Sequence, residues 1–139
     1  MQKIVLVLTL LVLGVSSSLG QEKYSMTIAF KGMKSDKGNL YIAIYNKEKD
    51  FLKRALKGAV VKIKDKEALV VFDHLLSGEY AVSAFHDEND NKKMDTKIFG
   101  IPKEPVGISN DAKGFMGPPK YRDAKFKLVK DVSLTIQLK

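Results

Sequence analysis

Tyr24, Met26, Ile28 and Phe30 alternate with Ser25, Thr27, Ala29 and Lys31. A period of two with one apolar side predicts a half-buried strand. Lys34-Ser35-Asp36-Lys37-Gly38-Asn39 is a turn cluster. Leu40 to Tyr45 (LYIAIY) is a continuous apolar run, which suits a central strand packed on both faces. Asn46 is placed to cap a short helical turn through Lys47–Leu56, where Phe51, Leu52 and Leu56 would cover one end of the core. Ala59–Lys64 and Ala68–Phe72 read as the next two strands, and Tyr80–Phe85 (YAVSAF) follows the turn at Leu76-Ser77-Gly78-Glu79. Ala124–Val129 and the strict alternation of Val132, Leu134, Ile136 and Leu138 close the chain, with Lys130-Asp131 between them. About seven short strands with close turns and almost no helix predict an all-β fold, an antiparallel two-sheet sandwich. A closed barrel is the alternative. Central strands should place Ile42, Ile44, Val82, Ala84 and Phe85 among the buried residues.

One segment breaks the rhythm. Asp87 to Asp123 covers about 37 residues with little strand pattern and holds all four prolines. Such a length in a compact domain, beyond roughly 12–15 residues, marks a functional or a disordered loop. Ile98, Phe99, Ile101, Val106, Ile108, Phe115 and Tyr121 supply apolar anchors, so a long ordered loop is expected. Its opening is rich in oxygen donors. Asp87, Asn89, Asn91 and Asp95 stand at the first, third, fifth and ninth positions, and a curling chain turns such side chains toward one centre. Ca²⁺ takes six to eight oxygens at about 2.3–2.6 Å. The Lys93 backbone carbonyl fits the seventh position, and Glu104 offers a further carboxylate. Lys92 stands where a helix–loop–helix calcium site needs Gly, and Ile98 where it needs a bidentate Glu, so the fit to that site is incomplete. Two readings fit these residues: a calcium site, or an Asx-rich turn whose side chains bond the local backbone.

The N-terminus is read apart from the fold. Met1-Gln2-Lys3 is a short positive region, Ile4–Val15 is almost purely apolar, and Ser18 and Gly20 suit a cut before Gln21. A membrane span needs roughly 20 apolar residues, and this run holds about a dozen. Residues 1–20 are therefore expected to be a cleaved signal peptide, leaving one domain over residues 21–139 and no transmembrane segment. A secreted or periplasmic location follows. The 139 residues carry a net charge of +8, which loss of Lys3 brings to about +7. Arg appears only at Arg54 and Arg122, and the lysines are spread in small clusters. A nucleic-acid interface concentrates Arg and aromatics on one face, so no nucleic-acid partner is expected. The charge suits solubility and attraction to anionic surfaces. With no Cys, disulfide scaffolds, thiolate metal sites and thiol catalysis are excluded.

The chemistry available for catalysis is sparse. His86 and His74 are the only histidines. His86 beside Asp87 could form an acid–base pair or a metal ligand, but neighbours on a strand point to opposite faces. Bracing the loop through backbone bonds is the plainer role. Gly107-Ile108-Ser109-Asn110 lacks the closing Gly of a nucleophile elbow, so Ser109 reads as a capping or turn residue. Phe115, Tyr121 and Phe126 read as core or loop anchors. No residue is assigned a catalytic or cofactor-binding role, and no cofactor other than Ca²⁺ is expected.

The stretch YAVSAFHDENDNKKMDTKIFGIPKEPVGISN (residues 80–110) resembles the hallmark of the bacterial domain-of-unknown-function family 2141. FMGPPKYRDAKFKL (residues 115–128) is similar to that family's closing motif, as are LYIAIYNKEKDFLK and SGEYAV. The resemblance covers nearly the whole chain after residue 20. It implies a secreted or periplasmic protein with an immunoglobulin-like, transthyretin-like β-sandwich, and no established activity. The expected role is a non-catalytic binding or structural module of the cell envelope. Its partner would be an envelope protein, a glycan or a small ligand. The alternatives are a small metal-dependent hydrolase using His86 and nearby carboxylates, or a small-ligand carrier.

Overall fold

The computed structural model describes residues 20–139, with the backbone alone at residue 99. The expected signal peptide lies, apart from Gly20, outside the described residues. Eight strands follow in order: β1 (Lys23–Lys31), β2 (Asn39–Tyr45), β3 (Lys57–Lys62), β4 (Ala68–Leu76), β5 (Gly78–Asp87), β6 (Val106–Ile108), β7 (Phe126–Leu128) and β8 (Val132–Gln137). They form two sheets, one of order β4-β1-β8 and one of order β3-β2-β5-β6, with β7 pairing the start of β5. The all-β two-sheet sandwich is the fold the alternation predicts.

Burial follows the period-two pattern closely. Met26, Ile28 and Phe30 of β1 face Leu40, Ile42 and Ile44 of β2, with Val70, Phe72, Tyr80, Val82, Ala84, Leu128 and Ile136 completing one core. Fully burying each large apolar side chain stabilises the fold by about 1.5–3 kcal/mol. A second, smaller cluster lies on the other face of the five-stranded sheet. There Tyr45 and Tyr121 both pack edge-on to Phe51, at 5.2 and 5.7 Å between ring centroids, over Ala81 and Ala124. This cover on the far face explains why β2 is apolar on both sides.

Backbone bonds close two corners of the sandwich. Lys64 and Glu67 exchange bonds of 3.0 Å where β3 turns into β4, and Val106 and Lys139 exchange bonds of 3.1 and 3.0 Å where β6 meets the end of the chain. The sheets thus stay separate by strand order but are joined at both edges.

Several local expectations are corrected. There are eight strands because Val106–Ile108 forms β6 inside the long loop. β8 runs parallel to β1, with Ile28 opposite Leu134, so the sandwich is not wholly antiparallel. The turn after β2 is a 3₁₀ turn at Glu48–Asp50 that follows Lys47 with no side-chain cap, so Asn46 does not serve as one. Tyr121–Ala124 is a single helical turn, α1, and the strand after it is only Phe126–Leu128. Phe85 is half-buried, stacked on Tyr41 at 5.0 Å on the far face. Among the loop residues expected to anchor, Tyr121 is buried and Val106 and Ile108 are half-buried, whereas Ile98, Ile101 and Phe115 are exposed.

Candidate functional site

The end of β5 sets the position of the loop. Asn39, the first residue of β2, pairs with Asp87, the last of β5. Ahead of it Gly38 lies in the left-handed region (φ 67), and a Cβ there would run into the Asp87 carbonyl. Only glycine lets the β1–β2 turn approach so closely. The Asn39 amide then donates to Asp90 at 3.3 Å, tying this turn to the loop.

Asp87 is fully buried and organises the first turn. Its Oδ1 accepts the Asn91 N–H at 3.2 Å and its Oδ2 the Lys92 N–H at 2.8 Å. Asn89 Oδ1 also accepts from the Asn91 N–H, and Asn91 Oδ1 accepts from the Lys93 N–H. Lys92 itself takes the left-handed conformation (φ 64), at a cost of about 1 kcal/mol for a residue with a side chain. The Asx-type bonding expected of such a sequence is therefore present throughout.

Asp95 is the second focus. The Asn89 amide donates to its Oδ2 at 2.6 Å and the Asn91 amide to its Oδ1 at 2.7 Å. These two bonds, with lesser help from Lys93 and Lys103, hold its carboxyl below the usual aspartate range. Beyond Asp95 the chain makes a small hairpin. Lys97 N–H donates to Ile101 O at 2.6 Å, Thr96 bridges to Pro102, and Lys103 N–H returns to Asp95 O at 2.8 Å. Glu104 is thereby brought back beside Asp95, whose N–H its Oε2 accepts at 3.3 Å. The other oxygen, Oε1, is buried with no partner. Burial first, and then the charges of Asp95 and Asp87, push the Glu104 carboxyl above the usual glutamate range.

Asp87, Asn89, Asn91, Asp95 and Glu104 thus occupy one loop linked by hydrogen bonds, and three of them are carboxylates. Among the described residues, no three His, Asp or Glu side chains already gather at one point as a metal cluster. A carboxylate has about four lone-pair sites, so accepting one bond at each oxygen leaves capacity for a cation.

The histidines lie apart from this chemistry. His86 pairs with Leu40 and continues the core-facing side of Val82 and Ala84, whereas Asp87 follows the opposite face. His86 is wholly buried, and its Nε2 lies 2.6 Å from the Lys37 carbonyl. A carbonyl only accepts, so Nε2 donates, and Nδ1 is left buried without a partner. His86 braces the β1–β2 turn and does not meet the loop carboxylates. His74 is exposed.

Ser109 carries a structural role that its sequence context only partly announced. Its hydroxyl accepts the Val82 N–H at 2.9 Å and donates to the Ala124 carbonyl at 2.6 Å, fully within the fold. Asn110 adds amide bonds to Asp123 O at 3.2 Å and Lys125 O at 2.8 Å. The sequence places Gly38, Asn39 and Ser109 in turns, through a Gly-Asn turn and a Ser-Asn pair, but does not show the close approach of Gly38 to Asp87, the Asn39–Asp90 bond or the buried Ser109 bridge.

Among the described residues no helix is long and apolar enough to cross a membrane. No curated protein and no solved structure matches the chain. A family model does match, over residues 28–137, from the second half of β1 to the end of β8 and across the whole Asp87–Glu104 loop. The chain belongs to the family described as uncharacterized protein conserved in bacteria, DUF2141.

Proposed function

We propose that this protein is a secreted, non-catalytic binding or structural module of the bacterial envelope whose Asp87–Glu104 loop takes up one calcium ion. The observation that carries the reading is the Glu104 Oε1, buried without a partner on a side chain whose other oxygen accepts the Asp95 N–H. An unpaired buried carboxylate oxygen costs stability, and a cation drawn to it would also offset the charges of Asp95 and Asp87 that act on Glu104. The ligands would be Asp87, Asn89, Asn91, Asp95 and Glu104, with the Lys93 carbonyl. Lys92 stands where the sixth position of a calcium loop calls for Gly, but its left-handed backbone keeps the bend that position requires. Calcium would neutralise the loop and draw its carboxylates together, ordering the longest connection in a domain without disulfides.

The hydrolase alternative loses its support from His86, which offers no surface to a substrate. The module reading is tested by calorimetric titration of residues 21–139 with calcium and then magnesium. One saturable site is expected, in the roughly 10⁻⁴–10⁻³ M range of extracellular calcium modules. Magnesium should bind less well because it resists losing its waters. Asp95→Asn, at a half-buried position, should remove the calcium heat and leave the circular dichroism unchanged. Absence of saturable calcium heat in the folded wild-type protein would leave the Asx turn as the whole account of the loop.

A further inference from the structure

Phe115 and Met116 are 92% and 94% exposed, the most exposed large apolar side chains among the described residues. Scattered exposed apolar residues need no explanation, but two adjacent ones at a loop tip do. The tip is built rather than loose. A Cβ on Gly114 would run into the Gly117 carbonyl, so the chain crosses itself tightly there and presents the two side chains between. Met116 takes the left-handed conformation (φ 53) that glycine would adopt at no cost. Both legs are fixed. Ala112 packs against the outer cluster on one side, Pro118-Pro119 stiffens the other, and Tyr121 is buried at its root.

The flanks are cationic. Lys113, Lys120 and Arg122 are all exposed. The acidic residues of this segment are each beside a cation already, Asp111 with Lys139 at 2.8 Å and Asp123 with Arg122 at 4.0 Å. Lys113 and Lys120 make no ion pair among the described residues. An apolar tip between free lysines on a chain of net charge +8 complements an anionic lipid surface. The ring and thioether would enter the headgroup–acyl boundary while the lysines meet the phosphates, the combination of an apolar and a basic signal that peripheral anchoring needs. A protein partner is disfavoured by size, since a stable interface buries about 800 Å² per side and a two-residue tip offers far less.

We infer that the Gly114–Gly117 tip is a peripheral membrane-contact element, with Phe115 and Met116 inserting into an anionic bilayer and Lys113 and Lys120 binding its headgroups. Residues 21–139 contain every strand of the fold and omit the apolar leader, so they are the material for the test. The chain has no Trp, so Phe115→Trp installs a single indole fluorophore at the tip. Vesicles of phosphatidylcholine, with and without anionic phosphatidylglycerol, are the probes. A blue shift and quenching by brominated acyl chains are expected with the anionic vesicles, weakening as salt is raised. Separately, in sedimentation, Phe115→Ala with Met116→Ala should weaken binding at least about ten-fold. Lys113→Glu with Lys120→Glu should do likewise, with unchanged circular dichroism in both cases. Binding to neither vesicle type would overturn the proposal. So would anionic binding that survives loss of Phe115 and Met116, which is general cationic adsorption. If the Phe115→Trp protein shifts to the blue with soluble envelope proteins but not with vesicles, the proposal is also overturned, in favour of a protein partner.

Discussion

Ser109→Ala isolates a single hydroxyl that joins three parts of the fold. Its oxygen accepts from Val82 in the middle of β5 at 2.9 Å and its proton goes to the Ala124 carbonyl at the end of α1 at 2.6 Å. Val82 and Ala124 are both 0% exposed, so water cannot replace the lost partner without opening the packing. Each orphaned buried group costs about 1–3 kcal/mol, and two such groups set the loss at roughly 2–6 kcal/mol. For a domain of this size that lowers the melting temperature by on the order of 10 °C. Urea unfolding followed by circular dichroism measures it, with Ser133→Ala at an exposed position of β8 as the control, expected within about 0.5 kcal/mol of wild type. A Ser109→Ala loss below about 0.5 kcal/mol would mean that the hydroxyl does not bridge β5 and α1, and the placement of the loop's return would have to be redrawn.

Three further outcomes are expected. Gly38→Ala forces a side chain into the Asp87 carbonyl at a left-handed position, and should cost at least about 2 kcal/mol in urea unfolding; an unchanged midpoint would contradict the close approach of the two turns. Glu104 has a raised carboxyl pKa, so the folded state holds its proton to higher pH than the unfolded chain, and stability falls as pH rises from the usual glutamate value through the folded one. In chelator at neutral pH, Glu104→Gln should therefore melt above wild type, with the difference vanishing in acid. Asp95 acts in the opposite sense, its contribution being lost as pH falls through its lowered folded value. A pH series of melts in chelator reads both, and a Glu104→Gln difference that persists in acid would refute the assignment. Intact mass of protein recovered from the periplasm or medium should begin at Gln21, and a mass that includes Met1 would refute the signal reading.

The strands were legible because burial alternates along them: Met26, Ile28 and Phe30 on β1, and Ile42 and Ile44 on β2, are where period two puts them. Strand neighbours were not, since alternation fixes which face a residue takes and says nothing of what lies beside it. The parallel pairing of β1 with β8 and the pairing of Asn39 with Asp87 both depend on contacts distant in sequence. β6 escaped because three residues, with Gly107 at the centre, are too short to show a period. The donor spacing from Asp87 to Asp95 was visible, but the hairpin that returns Glu104 beside Asp95 rests on backbone bonds at Lys97 and Lys103 that no side-chain pattern encodes. Phe115 was misread as an anchor because apolar character does not by itself place a residue inside.

The melting temperature of residues 21–139, measured in calcium and in chelator, tests the central claim most directly. Calcium at about 100 times its dissociation constant would stabilise the fold by roughly 2.7 kcal/mol. The melting temperature should rise accordingly, by roughly 10 °C for a domain of this size, with magnesium giving less and Asp87→Ala giving no response. Identical melting of the wild-type protein in calcium and in chelator would contradict the calcium loop, leaving Asp87 and Asp95 as the hydrogen-bonded centres of an Asx turn.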